Sequence, residues 1–290
     1  MAYPTAEHPA VLVTGVSSGI GLAIAESLLK AGYCVIGSVR RLADAKSLSA
    51  AWPDAFVPIV MDVADVCSVA NAASEVRTFL RGQPLKALVN NAGVSLSGPL
   101  MYQPLDEVRQ VFEVNVFGLL IVSQAFLPLL GAGGPAQAGP KGRVVNIGSV
   151  SGAITVPFLG AYSASKHAVE ALSQSLRREL MPWGVEVVSI EPGFIQSGMH
   201  QKAADRLQTN AYASTPYASL WTRFAQFMQT NESTAKSPDR VTQAVLHAIE
   251  SEKPRTRQPL DMLWYLGRIL PDRWFDKLLL KAFRFDRLHG

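Results

Sequence analysis

Two groups of residues in this sequence have types and spacing that chemistry can use. The first is Tyr162-Ser163-Ala164-Ser165-Lys166. On a helix, positions four apart share a face, so the Lys166 ammonium can lie beside the Tyr162 phenol. An ordinary tyrosine titrates at about 10, too high to trade protons near neutrality, and a nearby cation favours phenolate and lowers that value. By itself a Tyr-x-x-x-Lys pair is common and most often sits on a surface. Here Ser149 precedes Tyr162 by 13 residues and offers a hydroxyl to the same place. The second group is Thr14-Gly15-Val16-Ser17-Ser18-Gly19-Ile20-Gly21. Its glycines permit a tight turn and let the backbone approach a pyrophosphate, which then rests on the positive end of the helix that follows. The spacing is one residue wider at the front than the common dinucleotide fingerprint. Taken alone, it also describes an ordinary glycine turn.

Both groups need elements to hold them. Ala10–Thr14 is a short apolar run, a helical pattern follows as far as Gly32, and Tyr33–Val39 is a second apolar run. This is a βαβ unit. Phe56–Met61, Leu85–Val89, Arg143–Ile147 and Val185–Ile190 read as further strands. Val66–Leu80, much of Leu105–Leu130 and Ala161–Met181 read as helices. Short apolar runs without alternation imply strands buried on both faces, and strands alternating with helices imply a parallel sheet covered on both sides. Ser149 then follows the carboxyl end of a strand, where such sheets bind their ligands. The expected fold is α/β: a Rossmann-type doubly wound parallel sheet of about seven strands, with a helical lid and a C-terminal helical tail. Residues 1–252 form the dinucleotide-binding and catalytic domain. Residues 253–290 add a short edge strand and a basic amphipathic tail to it. Gly131–Gly142 reads as a surface loop, and 196–236 as a helical insertion that could cover a site.

Composition narrows the possibilities. The 290 residues are 48% hydrophobic and 17% charged, which excludes disorder and supplies a sizeable core. The net charge of +4 is local: residues 253–290 hold nine basic and four acidic side chains, and the remainder is close to neutral. No element suited to reading a nucleic-acid groove accompanies that charge. Only Cys34 and Cys67 are available for disulfides, and the amino terminus lacks the order of a secretion signal, so a reduced, cytoplasmic protein is expected. Val116–Leu130, interrupted by Gly118, Ser123, Gln124 and Pro128, falls short of the roughly 18 apolar residues of a spanning helix. The five histidines show no metal-ligand spacing.

In order and position these residues resemble the short-chain dehydrogenase/reductase family from about Ala10 to Ile249. The same likeness extends to Asn90-Asn91-Ala92-Gly93 after the fourth strand, Asn115 in Asn-Val-Phe-Gly, Asp62-Val63 after the third strand and Pro192-Gly193 after the sixth. Ser189-Ile190-Glu191-Pro192-Gly193 and the extended tail are similar to the branch containing steroid and retinol dehydrogenases. The resemblance implies hydride transfer between a nicotinamide and a carbonyl/alcohol pair. Tyr162 would be the proton donor or acceptor, Ser149 would orient the carbonyl, and Lys166 would hold the nicotinamide ribose and depress the tyrosine pKa. Asn115 would hold a water in a proton relay. Gly15, Ser17, Ser18, Gly19, Ile20 and Gly21 would line the pyrophosphate. Asp62 and Val63 would border the adenine, and Asn90 with Ala92 and Gly93 the adenosine ribose. Pro192, Gly193 and Ile195 would border the nicotinamide. Ser197 stands where many relatives have threonine near the carboxamide.

The second strand ends Gly37-Ser38-Val39-Arg40-Arg41, with no acid before Asp44. An acidic residue there would favour NAD(H) by bonding the ribose hydroxyls. Arg40, assisted by Ser38 or Arg41, can instead grip a 2′-phosphate through its guanidinium fork, so NADP(H) is expected ahead of NAD(H). Alternatively Arg40 and Arg41 are solvated loop charges. Val156, Phe158, Met199, Tyr217, Trp221 and Phe224 either line a pocket for a hydrophobic ketone or aldehyde or pack the lid onto the body. The tail admits three readings: docking on the protein, shaping the substrate entrance, or a helix in a membrane interface, the last not favoured. The family implies a homodimer or homotetramer, with the helices over 105–130 and 161–181 as contact faces. A non-catalytic NADP-binding sensor or scaffold is the alternative from another class, and an intact Ser149, Tyr162, Lys166 and Asn115 argue against it.

Overall fold

The computed structural model describes residues 4–5, 7–133, 141–196, 211–233, 235–283 and 285. Seven strands form one sheet: β1 (Ala10–Val13), β2 (Cys34–Val39), β3 (Phe56–Val60), β4 (Ala87–Asn90), β5 (Arg143–Ile147), β6 (Glu186–Glu191) and β7 (Arg257–Pro259). Their order is β3-β2-β1-β4-β5-β6-β7, and every pairing is parallel. The chain winds outward from β1 to β3, then returns to place β4 on the other side of β1. That reversal opens a crevice above the carboxyl ends of β1 and β4, where ligands of doubly wound sheets bind.

Both faces of the sheet are covered, so the central strands carry unbroken apolar runs. One face packs Ile24 and Leu28 of the Gly19–Lys30 helix with Val241, Val245 and Ile249 of the Asp239–Glu250 helix. The other packs Val69, Val76 and Leu80 with Val122, Phe126, Leu130 and Leu176. Local chemistry sets the boundaries. The Val66–Leu80 helix begins where the Asp65 carboxylate accepts the N–H groups of Cys67 and Ser68 at 2.8 and 3.2 Å. It ends at Arg81, which adopts a left-handed conformation.

The segment Leu105–Leu130 is one continuous helix of 26 residues with a π turn at Glu113–Phe117. Its apolar part has a mean hydropathy of 1.7. By length and composition this helix could cross a membrane, which corrects the expectation drawn from Val116–Leu130 alone. The correction arises because the helix begins well before that run. Here its Val122, Phe126 and Leu130 pack against the sheet.

The tail docks on the body. Arg257 of β7 pairs with Glu170 of the Gly160–Glu179 helix. Two helices follow, Leu263–Ile269 and Asp272–Ala282. Trp264 is buried against Val150 and Ile154, and Phe283 joins Phe158 and Phe224. Met262, Ile269, Trp274 and Leu278 stay exposed. The docked helix has no room for a side chain at Gly267, where a Cβ would collide with Cγ2 of Ile154. Gly267→Ala is therefore expected to cost about 1–3 kcal/mol through overpacking, despite alanine's better helix propensity. Thermal unfolding checks this, and an unchanged or higher Tm would show the contact to be soft.

Candidate active site

β5 ends at Ile147, and the chain passes through Gly148 into Ser149, the cap of a short 3-10 turn over Val150–Gly152. The Ser149 Oγ accepts the Ser151 N–H at 3.1 Å. Beside it runs the Gly160–Glu179 helix, with Tyr162 in its first turn and Lys166 one turn on. Tyr162 is half-buried, and its phenol lies close enough to the Ser149 hydroxyl to be influenced by it. Lys166 is 7% exposed; its Nζ donates to the Ile147 carbonyl at 2.9 Å and lies 5.8 Å from the centre of the Tyr162 ring. The three residues singled out in the sequence thus meet at the carboxyl end of β5.

Their electrostatics differ from the simple expectation. Burial holds the Tyr162 phenol above its ordinary value, the Ser149 hydrogen bond opposes that shift, and the Glu191 carboxylate adds to it. Burial lowers Lys166 to about 8, against the pull of Glu191. Desolvation outweighs a cation that is turned toward the Ile147 carbonyl, so the expected depression of Tyr162 by Lys166 is absent from this structure. Glu191 is itself raised to about 7 by burial, opposed by the Ser149 N–H, Lys166 and Arg268.

Asn115 lies in the π turn, a feature frequent at functional sites. Its Oδ1 accepts the Val94 N–H at 2.8 Å, and its Nδ2 donates to the Val94 carbonyl at 2.9 Å and to the Ser165 Oγ at 3.0 Å. The Asn115 side chain is thus engaged within the protein.

At the switch point, Gly15 and Gly19 adopt φ of 72° and 60°, and a Cβ on Gly21 would collide with the Gly15 carbonyl. Only glycines close this turn. Ser17 and Ser18 are exposed. Ser18 takes the N-cap position of the Gly19–Lys30 helix without capping it, and the first turn carries no acid. The donor chemistry at Gly19, Ile20 and Gly21 fits a pyrophosphate. Thr14 Oγ1 accepts the N–H groups of Asn91 and Ala92, each at 2.9 Å, tying this turn to the loop after β4. Within that loop Gly93 faces the Asn115 Oδ1, at 3.2 Å from where a Cβ would stand. Asp62 accepts the Ala64 N–H at 3.0 Å, and Val63 packs on Gly118.

Other expectations need correction. Ser38 is 1% exposed, and its Oγ accepts the Gly15 N–H at 3.1 Å, so it braces the glycine turn from within instead of assisting Arg40. Arg41 is paired with Asp44 through contacts of 2.7 and 3.1 Å. Arg40 is exposed at the end of β2 and makes no ion pair among the described residues. The Asn90 side chain turns inward: its Nδ2 donates to Asn146 Oδ1 at 2.9 Å and Ser123 Oγ at 3.1 Å, while its buried Oδ1 has no hydrogen-bond partner. The Pro192 carbonyl accepts the Val150 N–H at 2.8 Å, and Gly193 packs against Asp261. Ile195 is buried and packs with the core. Ser197 and Met199 lie outside the described residues. The Phe158 ring lies 5.6 Å from Trp221, 5.2 Å from Phe224 and 5.9 Å from Tyr217. Those aromatics pack the lid onto the body. Sequence reasoning missed Glu191 as a member of the site, although a carboxylate ending the apolar run Val187–Ile190 was a signal. Among the described residues no cluster of His, Cys, Asp or Glu is placed to hold a metal.

A doubly wound parallel sheet with an anion-accepting glycine turn at its switch point, and Ser149, Tyr162 and Lys166 two strands away, defines a dinucleotide-dependent oxidoreductase of the Rossmann type. The chain belongs to the short-chain dehydrogenase family, whose model matches residues 9–208. It is 40% identical over 274 residues to the NADPH-dependent 3-dehydrocapnine reductase of Ornithobacterium rhinotracheale, covering 93% of this chain and 95% of that one. It is 31% identical over 289 residues to human retinol dehydrogenase 5, covering 94% and 88% respectively. Among solved structures it is similar to a short-chain dehydrogenase from Streptomyces avermitilis, with a TM-score of 0.74, 29% identity and 98% of each chain covered.

Proposed function

We propose that this protein is an NADP(H)-dependent reductase of a hydrophobic ketone or aldehyde. The observation that carries this reading is the meeting of Ser149, Tyr162 and Lys166 at the carboxyl end of β5, with the Lys166 ammonium 5.8 Å from the Tyr162 ring centre. When bound, the nicotinamide supplies the hydride that adds to the carbonyl carbon. Ser149 Oγ donates a hydrogen bond to the carbonyl oxygen and fixes its approach. The Tyr162 phenol, kept protonated by its burial, gives its proton to that oxygen as negative charge develops there. Lys166 then stands beside the phenolate left behind, and its charge favours that form. A water on the Asn115 main-chain carbonyl would return the proton from solvent. In the reverse direction Tyr162 accepts the alcohol proton.

The NADP(H) preference is supported by Arg40, exposed at the end of β2 with no carboxylate pairing it among the described residues, and by the name of the 40%-identical relative. Hydrogen bonds from a guanidinium to a phosphate contribute about 1.5–3 kcal/mol. Arg40→Asp is therefore expected to raise the KM for NADPH by about ten-fold to a hundred-fold and leave that for NADH nearly unchanged. Initial rates with each nucleotide against a panel of ketones, aldehydes and steroids test both points. Equal use of NADH and NADPH at low concentration by the unaltered protein would refute the preference. If no carbonyl or alcohol turns over with either nucleotide, the protein is a binding scaffold instead. We infer a homodimer or homotetramer that uses the outer face of the Leu105–Leu130 helix, where Phe117 is exposed.

A further inference from the structure

Three successive amides of the catalytic loop are held from the end of β6. The Gly148 N–H donates to the Ile190 carbonyl at 2.8 Å, the Ser149 N–H to Glu191 Oε2 at 2.7 Å, and the Val150 N–H to the Pro192 carbonyl at 2.8 Å. The middle bond is the unusual one. Glu191 has its own carbonyl committed on the far side, where it accepts the Leu260 N–H at 3.0 Å. A side chain must therefore supply the acceptor for Ser149. The loop comes so close that a Cβ on Gly148 would stand 2.7 Å from the Glu191 Cδ and collide with Oε2. Glycine at 148 is thus matched to the carboxylate at 191.

Glu191 is 1% exposed. If packing were its only task, an apolar residue would serve better, because an unpaired buried charge is costly. Charged and titratable groups approach it from two elements. Lys166 and Tyr162 face it from the Gly160–Glu179 helix, and Arg268 from the tail helix Leu263–Ile269. Arg268 in turn lies 4.2 Å from the Trp264 ring, with Arg257 over the same ring at 5.3 Å.

We propose that Glu191 is a positioning residue of the reductase, holding the Ser149 amide in place and balancing the buried Lys166 ammonium. The inference rests on the carbonyl-reductase reading above. Its ionised form opposes the effect of burial on Lys166 and disfavours phenolate at Tyr162. Glu191 therefore helps to keep the proton donor charged with its proton, so that reduction persists to higher pH.

Two variants separate the parts. Glu191→Gln retains an oxygen for the Ser149 N–H and removes the charge. The basic limb of kcat/KM for carbonyl reduction, to which loss of the Lys166 proton and loss of the Tyr162 proton both contribute, is expected to move down by about half to one pH unit, because the Glu191 charge holds both protons on. Glu191→Ala removes both functions and is expected to raise hydrogen exchange at the Ser149 amide by about ten-fold or more, in line with loss of one buried hydrogen bond. A basic limb at the same pH in Glu191→Gln, with unchanged exchange at Ser149 in Glu191→Ala, would overturn the proposal. If the unaltered protein reduces no carbonyl, the reductase reading fails by itself, and the exchange measurement still decides whether Glu191 holds the loop.

Discussion

If the proposed carbonyl reduction holds, Tyr162→Phe is expected to lower its kcat by about 10²–10⁴-fold, the range over which a positioned general acid acts. Nucleotide binding and thermal stability are expected to stay close to those of the unaltered protein. In the proposed mechanism the phenol is the proton donor. Ser149 Oγ is engaged with the Ser151 amide, and Lys166 Nζ is tied to the Ile147 carbonyl at 2.9 Å. Phenylalanine keeps the ring and its packing, so the loss is confined to the proton. Single-turnover consumption of NADPH, with binding followed by quenching of protein fluorescence, separates chemistry from affinity. Full activity in the variant would remove Tyr162 from the mechanism.

Phe158→Ala is expected to destabilise the fold by about 3–5 kcal/mol, the usual cost of deleting a buried phenyl ring. Phe158 is buried at the centre of the aromatic group that joins the lid helix to the tail, in ring contact with Tyr217, Trp221, Phe224 and Phe285. It also has φ of 66°, a left-handed conformation that bulky residues rarely adopt. Alanine keeps that strain and loses the contacts. Glycine loses the contacts but relieves the strain, worth about 1–2 kcal/mol. Phe158→Gly should therefore be more stable than Phe158→Ala, the reverse of the order found in ordinary backbone. Urea unfolding of the two variants measures the difference. A less stable glycine variant would mean that the backbone at 158 relaxes without cost.

The sheet was legible because each strand is a short apolar run bounded by turns. Arg143–Ile147 and Val66–Leu80 appear in the fold with the limits their sequences suggest. The Ser149, Tyr162 and Lys166 set was legible because helical spacing and a strand end suffice to bring them together. What the sequence could not show is which neighbour each polar side chain prefers. Ser38 and Asn90 stand where a nucleotide could reach them, yet Gly15, Ser123 and Asn146 claim their side chains. Arg41 is captured by Asp44 three residues on. The choices of Ser38 and Asn90 depend on distances between distant segments, which no local pattern records, whereas the Arg41–Asp44 pair is local. Glu191 was hidden for the same reason: its partner is a backbone amide on the adjacent strand's loop. The direction of the Tyr162 shift depended on depth of burial, which the Tyr-x-x-x-Lys spacing does not encode.

The packing of Gly267 and Trp264 against Ile154 and Val150 has a consequence in time. A ribosome releases the nucleotide-binding half of this chain first, and domains begin to organise from the amino terminus as they emerge. One wall of the loop bearing Ser149 comes from a helix translated well after the loop itself. A nascent chain that ends before residue 263 can hold its glycine turn and most of its sheet while its catalytic serine still lacks that support. Emergence of the Leu263–Ile269 helix thus serves as an assembly step for the loop of the candidate site.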